Sequence, residues 1–340
     1  MRRFKTIDAH AAGEPLRLIV EGYPTPKGRT ILEKRAWVKA HADWARRSLM
    51  QEPRGHLDMY GAVLTEPVTA EADAGILFMH NAGYSTMCGH GIIAVTTMIV
   101  ERDLIQPRQS GHVVYDSPAG LVRARAHVAA GVGAKRGELP ATRVNSVSFV
   151  NVPSFVLHPG LAVDVGGRTI RVDVAFGGAF YAIVDAEAAG LPVLPSRLTD
   201  LRRVGMEIKN AVEKLVPVQH PDDPGLKGIY GTIFTGPPDD DAADLKNVTV
   251  FAEAEVDRSP CGTGTCAVMA VLDAMGMLAP GQTFRHQGIV GTVFHGRVVS
   301  RTKVGDYDAI VPELEGSAWI TGEHTFIVDE DDPLAEGFRL

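Results

Sequence analysis

Three cysteines in 340 residues cannot form a disulfide framework, and a chain that does without one points to a reducing compartment, the cytoplasm. No apolar run approaches the roughly 18 residues of a membrane-spanning helix. The basic start Arg2, Arg3, Lys5 is followed by Asp8, His10 and Glu14, where a secretory leader would place its apolar stretch. Long runs of like charge are also missing. With 34 Lys+Arg against 41 Asp+Glu and a formal net charge of −7, the chain does not read as a nucleic-acid binder. A membrane surface and nucleic acid are therefore not expected as partners. What remains is a globular composition, 45% hydrophobic and 22% charged, long enough for two domains with sizeable cores.

Against this background one stretch stands out, and it occurs twice. Met87-Cys88-Gly89-His90-Gly91 returns as Pro260-Cys261-Gly262-Thr263-Gly264, and the same shift of 173 residues also matches Ala94 to Ala267 and Val95 to Val268. Each copy is followed by an apolar segment that reads as a helix, Ile92 to Val100 and Cys266 to Leu278. A thiol just ahead of a helix sits among unpaired backbone N–H groups at the positive end of the dipole, which favours the thiolate. Glycines there let a ligand approach the backbone and leave the amides open to an anion. The expectation is two half-sites, each with a thiol that gives or takes a proton and amides that hold a carboxylate. Helix-end stabilisation is expected to bring the thiols toward the neutral range.

Other cysteine chemistries fail on spacing. A phosphatase loop needs arginine six residues after the cysteine, where Ala94 and Ala267 stand. A phosphate-binding P-loop needs lysine after its last glycine, where Ile92 and Thr265 stand. Neither loop has Cys-x-x-Cys, and Cys88 with His90 alone is a poor chelate, so no metal is expected. Cys266, inside its helix, reads as a small core residue. Asp257 is either a surface acid paired with Arg258 or, next to a substrate bearing a positive nitrogen, its counter-ion, and the second is the expectation. His90 serves either a carboxylate or its own loop, His220 reads equally well as loop, and Tyr60 and Phe251 lie in strands as core residues.

In chain order, Phe4 to Asp8 and Leu16 to Glu21 read as strands around the turn Ala11 to Pro15. Thr30 and Glu33 have the form of a capping box for one helix reaching Met50. Strands follow at Met59 to Leu64 and Gly75 to His80, then at Val113 to Tyr115 and Leu121 to Val128. Gly131 to Pro140 is the candidate linker. Beyond it come Val144 to Val150, a hairpin turning at Gly166-Gly167, a surface helix over Leu201 to Val216, a polar insertion at Pro237 to Asp244 and the strand Val248 to Phe251. Thr283 to Phe294, Val298 to Val304, Ala309 to Leu314 and Ala318 to Val328 complete the strands. The second half thus repeats the first in outline.

Taken together, Met87 to Gly91 and Asp257-Arg258-Ser259-Pro260-Cys261-Gly262-Thr263-Gly264-Thr265 resemble the two signatures of the proline racemase family. That family includes hydroxyproline 2-epimerases and trans-3-hydroxy-L-proline dehydratases. The likeness extends to Glu52-Pro53-Arg54-Gly55-His56, Met59-Tyr60-Gly61, Gly177-Gly178-Ala179-Phe180, and Asp331 to Leu334 with Gly337-Phe338. It implies the diaminopimelate-epimerase-like fold, an α/β (α+β) architecture of two pseudo-symmetric domains, each a sheet wrapped around a central helix, with the active site between them. Residues 1–130 with 320–340 would form one domain, the last strand returning to it, and 131–319 the other. Carried over by position, Cys88 and Cys261 would be the acid/base pair. Gly89, His90, Gly262 and Thr263 would hold the carboxylate, Asp257 and His220 the ring nitrogen or a ring hydroxyl, and Tyr60 and Phe251 would close over the ring. Tyr60 stands where some members carry Phe.

The resemblance further implies proline or hydroxyproline as substrate, no cofactor, and a monomer or homodimer. Typical dehydratases of the family have threonine in place of the second cysteine. Cys261 thus favours inversion at Cα, while Leu49 to Pro53, Gly83 to Thr86 and Ile229 to Thr232 look closer to the dehydratase branch. The expected activity is two-cysteine inversion. The alternatives are dehydration with one thiol as base, and a non-catalytic protein that holds an imino acid in its two amide nests.

Overall fold

The computed structural model describes residues 1–128, 142–279 and 281–339. The candidate linker Gly131 to Pro140, and with it the expected boundary at 130/131, lies outside them. The chain divides into two compact units: residues 1–85, 90–149 and 315–340 form the first, and 86–89 with 150–314 the second.

The first unit begins with β1 (Arg2–Ala11) and β2 (Glu14–Glu21), followed by α1 (Ile31–His41), α2 (Asp43–Met50), β3 (Tyr60–Thr65) and β4 (Ala74–His80). Then come α3 (Gly89–Arg102), β5 (His112–Ser117), β6 (Gly120–Val128) and β7 (Val144–Val150). The second unit contains β8 (Ser154–Val165), β9 (Arg168–Phe176), β10 (Phe180–Asp185), α4 (Leu198–Leu215), β11 (Ile229–Gly236), β12 (Leu245–Phe251) and β13 (Glu255–Asp257). It continues with α5 (Gly262–Ala274), β14 (Phe284–Gln287), β15 (Val293–Val304) and β16 (Tyr307–Gly316), before β17 (Ala318–Val328) returns to the first unit.

Strand pairing shows the repeat. In the first unit β17 and β1 are antiparallel, β1 and β2 antiparallel, β2 and β3 parallel, β3 and β4 antiparallel, β4 and β5 parallel, and β5 and β6 antiparallel. In the second unit the same sequence of senses runs through β8, β9, β10, β11, β12, β14 and β15. Each parallel step requires a crossover. Surface helices make the first crossover, α1 and α2 in one unit and α4 in the other; α3 and α5 make the second.

The two kinds of helix differ in composition and burial. Gly91 to Ile99 of α3 and Gly262 to Val271 of α5 are buried without a break, as helices apolar on every side require. Inside unit 2, α5 packs on β8, β9, β10 and β15, while α4 packs chiefly on β11, β8 and β12. On α4 only one stripe, Leu201, Gly205, Ile208 and Val212, is buried. Thr30 caps α1, its hydroxyl accepting from Glu33 N at 3.1 Å, while Glu33 reaches back to Arg29 N at 2.7 Å.

Two expected elements are split. The helix expected to run to Met50 is interrupted at Ala42 (φ −128°, ψ 11°), which lets α2 bring Ala45, Leu49 and Met50 into the same core as Val38 and Phe4. The strand expected over Thr283 to Phe294 is divided by a turn in which Gly288 N donates to Thr292 O. A side chain on Gly288 would meet the backbone of Ser259 and Pro260 at 2.8 and 2.9 Å, so the strand leaves its line where the second cysteine loop passes behind it. The Gly166-Gly167 hairpin forms as expected, with both residues at positive φ (58° and 77°).

Candidate active site

Both cysteine loops end in helices that begin earlier than the apolar periodicity alone implies. α3 starts at Gly89 and α5 at Gly262, with Cys261 as N-cap. Thr265 N donates to Cys261 O at 2.7 Å as the first helical bond of α5, which leaves the amides of residues 262 to 264 outside the helical ladder. Cys88 and Cys261 are both buried, 4% and 5% exposed.

The first loop, residues 86–89, belongs to the second unit, and there the two loops meet backbone to backbone. A Cβ added to Gly262 would lie 2.4 Å from Gly89 Cα. The Gly177-Gly178 turn braces both loops. Thr86 Oγ1 donates to Gly178 O at 2.7 Å, and a Cβ on Gly178 would stand 3.0 Å from Thr263 and 3.2 Å from Met87. On Gly177 it would lie 2.1 Å from Thr263 O. Asn151 holds the turn from behind, its side-chain amide donating to Gly177 O at 2.7 Å. At these positions glycine is required by proximity.

Around Cys261 the structure assembles a polar collar. Asp257, at the end of β13, is buried and accepts from Ser259 N at 2.8 Å and Ser259 Oγ at 2.6 Å, while Ser259 Oγ accepts from Cys261 N at 3.1 Å. The surface-acid reading of Asp257 is thereby excluded. Burial raises its carboxyl to about 6. The Cys261 thiol donates to Tyr181 Oη at 3.7 Å, and Tyr181 Oη lies 2.6 Å from Thr263 Oγ1. The expected downward pull of the helix start does not win at Cys261. Burial, and then the charge of Asp257, push the thiol up to about 12, against the hydroxyls of Tyr181 and Thr249 and the Gly264 amide, which pull it down. Cys261 is therefore protonated at rest. Its backbone sits at φ +61°, ψ 105°, an uncommon conformation for a side-chain-bearing residue and of a kind that clusters at functional sites.

Phe251, at the end of β12, stacks on Tyr230 at 5.3 Å, and Tyr230 meets Tyr181 edge-on at 5.9 Å. An aromatic chain thus runs from Phe251 to the Cys261 collar. His220 packs edge-on against Phe155 and Phe176, and its Nδ1 accepts from Asp222 N at 3.2 Å. Partial burial lowers its pKa. Phe176 precedes the Gly177-Gly178 turn, which relates His220 to the brace of the loops rather than to a thiol. In the first unit, Tyr60 and His90 touch each other at 4.8 Å, edge to face, and Tyr60 Oη lies 2.5 Å from Ser85 Oγ. The expected residues therefore fall into two groups: Tyr60 with His90, and Cys88, Gly89, Asp257, Cys261, Gly262, Thr263, Phe251 and His220 in the second unit.

Tyr181, Ser259 and Thr249 were not singled out from the sequence. Ser259 lies inside the second signature, between Asp257 and Cys261, and its spacing marks it. Tyr181 directly follows Gly177 to Phe180, but it lies 82 residues from Thr263, and no local pattern joins them. Among the described residues no group of His, Cys, Asp and Glu could hold a metal ion, and no helix is long and apolar enough to cross a membrane.

A repeated unit carrying a thiol-headed buried helix is the framework of an enzyme of the isomerase or hydro-lyase kind. The proline racemase family model matches residues 6–339, and the chain belongs to that family. It is 48% identical over 99% of its length to a trans-3-hydroxy-L-proline dehydratase of Bacillus cereus, covering 98% of that protein. It is also 45% identical over its full length to a 3-hydroxyproline 2-epimerase of Burkholderia multivorans, again covering 98%. A crystal structure of a hydroxyproline epimerase from Agrobacterium vitis with bound trans-4-hydroxy-L-proline superposes with a TM-score of 0.89 at 31% identity, over 100% of this chain and 95% of that one. The α+β fold is that of the family.

Proposed function

We propose that this protein inverts Cα of a proline-ring amino acid, 3-hydroxyproline first, by passing protons through Cys88 and Cys261 without a cofactor. The observation that carries the reading is the pair of thiols, each at the start of a buried helix, on two loops whose backbones abut at Gly89 and Gly262. One sulfur, as thiolate, takes the Cα proton, and the other, as thiol, delivers a proton to the opposite face; the reverse reaction exchanges the roles. Cys261, protonated at rest, starts as the donor. Charge developing at Cα spreads into the carboxylate, which the amides of Gly89, Gly262 and Thr263 and the His90 ring stabilise. The ring nitrogen is positive, and Asp257 is its counter-ion. That pairing neutralises the Asp257 charge, which after burial is the second cause holding the Cys261 proton in place. Tyr60 and Phe251 close over the ring. Three free thiols suit a reducing compartment, the cytoplasm.

A second reading has its own support. Relatives at 48% and 47% identity are trans-3-hydroxy-L-proline dehydratases. If the carbanion expels the C3 hydroxyl, which takes a proton from a thiol and leaves as water, the site releases the 2,3-enamine, which tautomerises to a cyclic imine. Proton NMR of trans-3-hydroxy-L-proline in D2O separates the outcomes. Cα deuteration with appearance of the epimer is expected. Loss of water to the imine would replace inversion by elimination, and saturable binding without exchange would leave a binding protein.

A further inference from the structure

Tyr181 belongs to neither cysteine signature, yet its hydroxyl accepts from the Cys261 thiol at 3.7 Å, beside those of Thr249 and Thr263. Its place is fixed by the sheet: β10 lies between β9 and β11, with Tyr181 opposite Ala175 on one side and Gly231 on the other. The ring is fully buried, with Tyr230 against it edge-on at 5.9 Å. Its hydroxyl, Thr263 Oγ1 and Cys261 Sγ form a triangle with sides of 2.6, 3.7 and 4.0 Å.

Each hydroxyl has one proton to give and lone pairs to accept another, so the triangle has two consistent directions. With sulfur protonated, S–H donates to Tyr181 and Tyr181 O–H donates to Thr263. With sulfur ionised it has nothing to give, so Tyr181 O–H turns to the sulfur and Thr263 O–H donates to Tyr181. Both hydroxyl protons stay on their own oxygens and only rotate; the proton exchanged with Cα is that of Sγ alone. Burial holds the Tyr181 phenol well above its usual range, so it remains a donor throughout. With its hydroxyl committed to Tyr181, Thr263 would meet a substrate carboxylate through its backbone N–H.

We propose that Tyr181 is a positioning residue for Cys261, accepting from the thiol and donating to the thiolate through one reversal of the triangle. The inference rests on Cys261 acting as an acid/base thiol. Tyr181→Phe keeps the ring and removes the switch. In the full-length protein, the rate at which iodoacetamide alkylates Cys261, followed by peptide mass at about pH 7 to 9, reports the thiolate fraction. The expected result is about a tenfold slower reaction at Cys261 in Tyr181→Phe, the scale of one charge-assisted hydrogen bond, with the Cys88 rate in the same samples unchanged. Turnover should fall with little change in KM. Thr263→Val, which removes the second hydroxyl, should slow Cys261 less, and it carries the test if Tyr181→Phe fails to fold. An equal or faster Cys261 rate in the folded variant overturns the proposal. Alkylation needs no turnover. Slower alkylation in a protein that does not invert Cα would therefore sink the functional reading alone, while inversion with unchanged alkylation would sink this one alone.

Discussion

The two cysteine loops share Cys-Gly-x-Gly and a buried helix, and the two units share the senses of six successive strand pairings, yet the loops are not chemically alike. Four residues before Cys261 stands Asp257, buried and tied to Ser259; four residues before Cys88 stands Tyr84, whose hydroxyl meets that of Tyr23 at 3.1 Å. Cys261 has positive φ and Cys88 does not. The counterpart of Thr263 at the shift of 173 is His90, paired with Tyr60 rather than with Tyr181. Duplication supplies two similar scaffolds, each a thiol loop that opens a buried helix. The substrate proposed above has one nitrogen and one carboxylate, and only an asymmetric collar would tell its two sides apart.

The sharpest way to break the comparison is to remove one sulfur at a time. Cys88→Ser and Cys261→Ser should each lower inversion by about a thousandfold or more, followed by circular dichroism of the substrate. If one variant keeps full inversion, the two loops do not share the reaction.

Next comes the contact of the loops. Gly262→Ala would push a methyl to within 2.4 Å of Gly89 Cα, backbone that cannot swing aside. The expected destabilisation is about 3 kcal/mol, at the upper end for overpacking, read from urea denaturation, with activity falling too. An unchanged urea midpoint would mean that the loops do not touch.

Asp257→Asn tests the asymmetry itself. Burial raises the folded carboxyl to about 6, above the 3.8 usual for an exposed one. Its favourable contribution is therefore complete below about pH 3.8 and lost as pH rises through 6, where the native state must hold a buried carboxylate. The amide variant should be more stable than the parent by about 3 kcal/mol at pH 8, the gain disappearing by pH 4, while substrate affinity falls. A gain independent of pH would show that the carboxylate charge is not its source. The smallest effect is expected at Gly276→Ala: φ is +70° with nothing within 4 Å, so only backbone strain is added, about 1 kcal/mol. A loss as large as that of Gly262→Ala would mean that conformation, not proximity, makes these glycines necessary.

Local pattern made much of this legible. Val144–Val150 and Ala318–Val328 form with the bounds expected from their apolar and β-branched residues. The glycine-fronted helices, the Gly166-Gly167 hairpin and the polar stretch between β11 and β12 also follow from residues a few positions apart. What stayed hidden depends on distance along the chain. Nothing near Ala42 announces a break that brings Leu49 into the same core as Phe4. The turn at Gly288 exists because Ser259 and Pro260 pass behind it. Tyr181 acquires its role only once β10 lies beside α5. At Cys261 the motif correctly indicated a helix start, but the sign of the pKa shift depended on burial and on Asp257, which a motif does not weigh.

The pairing of β1 with β17, Arg2 opposite Val328 and Ala11 opposite Ala318, has a consequence for biosynthesis. Residues 2–11 keep one of their two hydrogen-bonding edges unpaired until residues 318–328 have been made. Residues 150–314 have all their own strands by then. The later-encoded half is thus free to mature ahead of the earlier one, and a shortened carboxyl end would leave an open β-edge exposed to other chains.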